Sequence, residues 1–210
     1  MIMRILTFLT LLLAFSSGAV AETPKPELAA LAIELQRGGH VIVMRHGATH
    51  ANQADLAPLQ PEGPGAQRQL NDKGREAAKA FGAALKAIGV PVGRTYTSRF
   101  NRAFETAVLA GRADAEKSID ITEGGLVVSP IENARRAAAL KKLVETPPAA
   151  GTTVFVVTHK PNILDAFGKD WFEVREGEAS IFRPQPGGTV LVARVLIEEW
   201  PAIAAAGVRR

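Results

Sequence analysis

The 210-residue sequence has no cysteine, one tyrosine, two tryptophans and nine phenylalanines. Without cysteine there is no disulfide framework and no lipid attachment at a cysteine, so the fold must hold together by burial alone. An excess of one charge is also lacking, with 25 basic residues facing 21 acidic ones. That balance, with so few aromatics, argues against a nucleic-acid surface. An anionic partner would be small and held locally. Beyond the first 21 residues no apolar run is long enough to cross a bilayer, and there is no internal repeat or low-complexity tract.

The amino terminus carries what the rest lacks. Arg4 precedes an apolar run of 11 residues, 5–15, followed by small residues ending in Ala19-Val20-Ala21. The run is short for a membrane span, and the small-x-small ending is what signal peptidases cut. The expectation is a cleaved export signal over 1–21 and a mature protein from Glu22, periplasmic or secreted, with no stable membrane association. Cleavage removes Arg4 and leaves 24 basic residues against 21, a net charge of +3. Residues 22–210 suffice for a single domain with one sizeable core.

Hydrophobic periodicity sets the order of elements. A Pro-rich start at 23–26 leads to a short helix stopped by Gly38-Gly39, and then to a strand over 40–45 that is apolar at consecutive positions. Residues 51–69 read as a loop that overhangs a site. Asn71 caps a long helix whose apolar face is Ala77, Phe81, Ala84, Leu85 and Ile88. A strand over 94–97, a helix over 99–111 and a strand over 119–122 come next. Ser129, Pro130 and Glu132 then form a helix start with a capping box. A strand over 152–158, a short helix ending near Gly168, strands over 179–183 and 189–197 and a last helix near Trp200 complete the chain. This alternation predicts a three-layer α/β fold, its sheet mostly parallel and covered by helices on both faces. Sites in such sheets form at the carboxyl ends of strands where strand order reverses.

Two buried strands end in chemistry. "VIVMRHG" runs into Arg45, His46 and Gly47, and "VFVVTHKPN" runs into His159. An arginine at a strand's carboxyl end must place its charge somewhere polar, and Gly47 marks a tight turn or close backbone approach. In "TSRFNRAFETA", Ser98, Arg102 and Thr106 share one side at i, i+4 and i+8, with Ser98 placed to cap the helix. Arg102 sits where free backbone N–H groups and the helix dipole favour an anion. A shared metal site of His40, His46 and His50 is disfavoured, since six residues of strand separate the first two by roughly 20 Å.

Together these motifs resemble the histidine phosphatase superfamily. The resemblance is carried by Arg45-His46-Gly47 after a strand, by "SRFNRAFETA" as the Ser-x-x-x-Arg-x-x-x-Thr-Ala pattern, by "THKPN", and by "LNDKGREAA" as the Leu-Thr-x-x-Gly helix entry. It implies a phosphoglycerate mutase-like fold and an exported, metal-independent phosphatase of small phosphomonoesters, with no cofactor. His46 is then the nucleophile that forms a phosphohistidine, Arg45 and Arg102 bind phosphoryl oxygens and keep His46 unprotonated, and His159 donates to the transferring group. Gly47, Asn52 and Ser98 fall where the family's substrate pocket lies. Two departures stand out. Lys160 follows the second histidine where the acid phosphatase branch has aspartate, and Ala48 replaces the glutamate usual after "RHG". The proton donor is therefore Glu178, in "REGEASIFRP", or Glu123. Glu178 is preferred, and Glu132 is set aside by its capping role. A phosphate-ester mutase and an inactive phosphoanion-binding protein are the alternative functions.

Overall fold

The computed structural model describes residues 27–56, 65, 67–124 and 127–208. The expected signal at 1–21, the Pro-rich start at 23–26 and the centre of the 51–69 loop lie outside the described residues. In chain order the elements are α1 (Leu28–Gln36), β1 (Val41–Arg45), α2 (Asp72–Ile88), β2 (Val92–Ser98), α3 (Asn101–Leu109), β3 (Glu116–Ser118), α4 (Pro130–Glu145), β4 (Thr153–Thr158), α5 (Lys160–Phe167), β5 (Ala179–Gln185), β6 (Gly188–Val195) and α6 (Trp200–Val208).

The six strands form one mixed sheet in the order β3-β2-β4-β1-β5-β6. The first four in that order are parallel neighbours, β5 opposes β1, and β6 opposes β5. All strands but β5 thus point one way. Val41, Ile42, Val43 and Met44 of β1 are buried, as are Phe155, Val156 and Val157 of β4. Apolar residues at consecutive positions require cover on both faces. On one face lie α1, α2, α3 and α6, where Phe81 meets Trp200 edge-on at 4.8 Å and packs on Phe155. On the other lie α4, α5 and a 3-10 turn at Lys169–Trp171, with Leu140, Val144, Ile163 and Trp171 over Val41, Val43 and Phe182. Among the described residues no helix is long and apolar enough to cross a membrane.

The expected face of α2 is borne out by buried Phe81, Ala84, Leu85 and Ile88, and Asn71 caps the helix by accepting from Gly74 N at 2.8 Å. The expected strand over 119–122 is a correction. The strand is Glu116–Ser118, and Ile119–Ile121 is a 3-10 turn. Ser118 Oγ accepts from Asp120 N, and Thr122 Oγ1 donates to the Ser118 carbonyl, so side chains replace the ladder partners a strand would need. The capping box at Ser129 is half made, because Glu132 N donates to Ser129 Oγ while the Glu132 carboxylate turns to Arg135 and Arg136.

Topology places the site. After β1 the chain crosses to α2 on the first face, and after β4 it crosses to α5 on the second. The carboxyl ends of these adjacent strands therefore flank a crevice at the point where strand order reverses. Arg45 and Thr158 are in register, so His46 and His159 are the next pair along two parallel strands.

Candidate active site

Neighbouring strands lie about 4.8 Å apart, and the rings of His46 and His159 have centroids 5.2 Å apart. Their proximity across more than a hundred residues is a consequence of strand register. Both rings are buried, as is all of Arg102. His46 Nδ1 donates to its neighbour's carbonyl, Gly47 O, at 2.8 Å. The hydrogen of the neutral ring is then on Nδ1, and Nε2 keeps its lone pair. Gly47 N donates to Thr106 Oγ1 at 3.0 Å, and Thr106 in turn donates to the Arg102 carbonyl. The turn after β1 is thus fastened to α3.

Ser98 has a different role from the one expected. The helix begins after Phe100, and Ser98 Oγ instead accepts from Phe100 N and lies 2.7 Å from His159 Nε2. It holds the His159 ring. With the serine hydrogen given to Nε2, the hydrogen of neutral His159 is on Nδ1, which is buried without a hydrogen-bond partner, 3.7 Å from Glu123 Oε1.

Arg102 lies over the Phe100 ring at 4.3 Å and carries two carboxylates. Its Nη1 donates to Asp55 Oδ1 at 2.9 Å, and its Nη2 donates to Glu123 Oε1. Arg45 Nη1 donates to the Val174 carbonyl at 2.8 Å, and its Nη2 is 3.7 Å from Glu176, which also accepts from Thr49 Oγ1. Arg68 is a third cation here, because its charge acts on both histidines, Arg45 and Glu123. In Arg45, Arg68 and Arg102 alike, Nε is buried with no hydrogen-bond partner among the described residues. Asn52 is exposed on the turn after Thr49, in contrast to the buried histidines.

Glu178, the preferred proton donor, is placed by the structure in an ion pair at the edge of β5 and β6. Its Oε1 accepts from Arg194 Nε at 2.6 Å, its Oε2 accepts from Arg175 N, and Arg194 itself stacks toward Trp171. The carboxylate joins β6 to the turn before β5, and among the described residues its hydrogen bonds and ion pair go to Arg194 and Arg175 rather than to either histidine or Arg102. Glu123 holds the position at the site. Asp55, Arg68 and Glu176 also reach the site, from loops whose sequence carries no periodic signal.

Burial foremost, and then the charge of Arg102, hold both histidines well below their usual pKa, with Arg45 and Arg68 adding to the effect. The Gly47 carbonyl pulls His46 the other way. The two rings are therefore neutral at pH 7. This has a stability consequence with a definite sign. The unfolded rings take up protons below pH ~6.5 and the folded rings do not, so stability falls as pH drops through that value. Each ring contributes about 1.4 kcal/mol per pH unit, and the pair up to about 2.7 kcal/mol between pH 7.5 and 5.5. Glu123, raised by burial, acts oppositely, and its contribution is lost as pH rises through its folded value. Urea unfolding of the wild type and of a His46→Gln/His159→Gln variant at both pH values isolates the histidine contribution, and the variant should have the flatter dependence.

The helix entry "LNDKG" also has a geometric reason. Asn71 N donates to Ala48 O and Asn71 Nδ2 donates to Thr49 O, clamping the start of α2 to the turn after His46. A Cβ at Gly74 would lie 2.1 Å from Ala48 O and 2.7 Å from Ala48 N. Gly74→Ala gains about 0.8–1.0 kcal/mol of helix propensity, yet overpacking against backbone typically costs about 1–3 kcal/mol. The expected result is a lower melting temperature and, because the displaced turn carries His46, lost activity.

Among the described residues no group of three histidine, cysteine, aspartate or glutamate side chains is arranged to hold a metal. Residues 41–124 match the family model of the histidine phosphatase superfamily (branch 1), the segment that supplies Arg45, His46, Arg102 and Glu123. A comparison with curated proteins gives no match. Among solved structures, the protein histidine phosphatase SixA complexed with tungstate is similar, with a TM-score of 0.52 and 20% identity over 76% of this chain and 98% of that one. YhfR of Bacillus stearothermophilus gives 0.51 and 20% over 73% and 95%. A mycobacterial glucosyl-3-phosphoglycerate phosphatase in complex with VO3 gives 0.52 and 16% over 73% and 97%. These likenesses establish the fold, which is the phosphoglycerate mutase-like α/β architecture.

Proposed function

We propose that the chain is a histidine phosphatase that hydrolyses small phosphomonoesters through a phosphohistidine on His46. The observation that carries this reading is the pairing of two buried neutral imidazoles with three guanidinium groups whose buried Nε atoms lack partners among the described residues. The family match over the segment holding His46 and Arg102 supports it.

In the first displacement His46 Nε2 attacks phosphorus while the ester oxygen leaves with a proton from Glu123. Fixing Nδ1–H on the Gly47 carbonyl both aims Nε2 and stabilises the positive ring that forms, since its remaining hydrogen is already bonded. Nε of Arg102, Arg45 and Arg68 and Nδ1 of His159 can donate to the equatorial oxygens, where charge spreads in a loose transition state. In the second displacement water attacks the phosphohistidine, Glu123 takes its proton, and phosphate leaves a neutral His46. Two simpler steps replace one difficult one. No metal enters this scheme, because guanidinium groups supply the positive charge.

Export belongs to the same reading and is supported by the charged start, apolar run and Ala19-Val20-Ala21 of the sequence. The test of function is release of phosphate from an aryl phosphate in the presence of EDTA, together with trapping of an acid-labile phosphoenzyme. Tight phosphate binding without turnover would instead support the inactive phosphoanion-binding alternative.

A further inference from the structure

A proton donor placed among three guanidinium groups faces a difficulty. Positive neighbours favour the ionised carboxylate, and Glu123 is bonded to Arg102 and lies within the field of Arg68 and Arg45. Left to those cations alone, it would enter the reaction with no proton to give. Asp55 stands on the other nitrogen of the same guanidinium, with Arg102 Nη1 on its Oδ1 at 2.9 Å while Nη2 is on Glu123. The same Asp55 oxygen accepts from Arg68 N at 3.0 Å, so two independent segments fix it. Two carboxylates therefore share one fully buried cation.

We propose that Asp55 is a positioning residue that keeps the proton on Glu123 in the free enzyme by presenting a second carboxylate across Arg102. The proposal rests on the reading of Glu123 as proton donor. One guanidinium compensates one negative charge well, and the second carboxyl on it does better neutral. The groups around Glu123 divide by sign. Arg102 from α3, Arg68 from the segment before α2 and Arg45 from the end of β1 favour its anion, whereas burial foremost, and then Asp55, favour its acid. His159 at the end of β4 is 3.7 Å away and neutral. Arg136 of α4 donates to the carbonyl of the preceding residue, Thr122, and Arg99 N to its hydroxyl. Only Asp55 among these places a negative charge against Glu123. The assignment also gives the 51–56 segment a chemical purpose, since it brings Asp55 to the catalytic arginine from beyond the turn that carries His46.

Asp55→Asn keeps an oxygen for Arg102 and Arg68 and removes the charge. Glu123 should then lose its proton at lower pH, by about one pH unit for a like charge at this range. The Cδ chemical shift of Glu123, followed by NMR in protein labelled with 13C at glutamate Cδ and assigned with Glu123→Gln, should titrate about one unit lower in Asp55→Asn than in the wild type. In the pH profile of kcat/KM for an alkyl phosphate, which reports free-enzyme groups, the alkaline limb should move to lower pH by the same amount. Coincident NMR midpoints, within about 0.3 unit, would overturn the proposal and reduce Asp55 to a latch on Arg102. Because the NMR titration needs no turnover, a protein that hydrolyses no phosphate ester would remove the phosphatase reading while the midpoints still decide the Asp55–Glu123 coupling. Asp55→Ser, which also removes the charge, should shift the midpoint in the same direction and guards against a local misfit of asparagine.

Discussion

His46→Ala should lower kcat for an aryl phosphate by roughly 10⁴- to 10⁶-fold, the scale on which removal of a covalent nucleophile acts elsewhere, and no phosphoenzyme should be trapped. The expected size follows from the site's economy. Strand register sets His46 beside His159, its Nε2 is the atom that bonds phosphorus in the proposed mechanism, and the arginines can bind a phosphoryl group without breaking any bond in it. EDTA should leave wild-type activity intact. The variant should fold, since among the described residues the ring's hydrogen bond is to the Gly47 carbonyl of the adjacent residue, and a circular dichroism spectrum identical to the wild type would establish that the loss is chemical. His46→Ala turnover within tenfold of the wild type would end the phosphohistidine mechanism. Phosphate binding to the variant should persist, because Arg45, Arg68 and Arg102 remain.

The parts of this site that were legible in the sequence are those with a local signature. Four apolar residues before Arg45 and His46, and four before Thr158 and His159, are enough to place both histidines at strand ends. Their 5.2 Å approach then needs only that β1 and β4 be neighbours. Arg102 was legible through helical spacing, since Arg102 and Thr106 do share the inward side of α3. What was not legible depends on contacts between distant segments. Glu178 precedes a strand as a loop carboxylate would, and only the antiparallel pairing of β5 with β6 brings Arg194 to it. The reverse holds for Glu123. Its loop has no periodic pattern, and its place beside Arg102 comes from the 3-10 turn at Ile119–Ile121, which the alternating "IDIT" disguised as a strand. Asp55, Arg68 and Glu176 reach the guanidinium groups from irregular segments, for which one sequence offers no rule.

Glu123→Gln should separate substrates by leaving group. For an alkyl phosphate, whose departing oxygen requires a proton, kcat should fall about 10²- to 10⁴-fold, the usual contribution of a general acid. For an aryl phosphate such as p-nitrophenyl phosphate, whose phenolate leaves unaided, the first displacement should be nearly untouched, and any loss should come from activation of water in the second. Pre-steady-state kinetics would then give a burst of phenolate followed by slow turnover. Glu178→Gln should behave differently. Its carboxylate joins Arg194 to the turn before β5, with Glu178 buried and Arg194 partly exposed, so breaking the pair from the buried side should lower thermal stability, by less than the roughly 3–5 kcal/mol typical of a fully buried pair. The alkyl-to-aryl ratio of kcat should not move, because the Glu178 carboxylate is bonded to Arg194 and Arg175 N rather than to a histidine. Should Glu178→Gln change that ratio and Glu123→Gln leave it alone, the assignment of the proton donor would have to be reversed. That outcome would require the turn before β5 to reorganise on substrate binding, since Arg194 holds the carboxylate at 2.6 Å in the free protein.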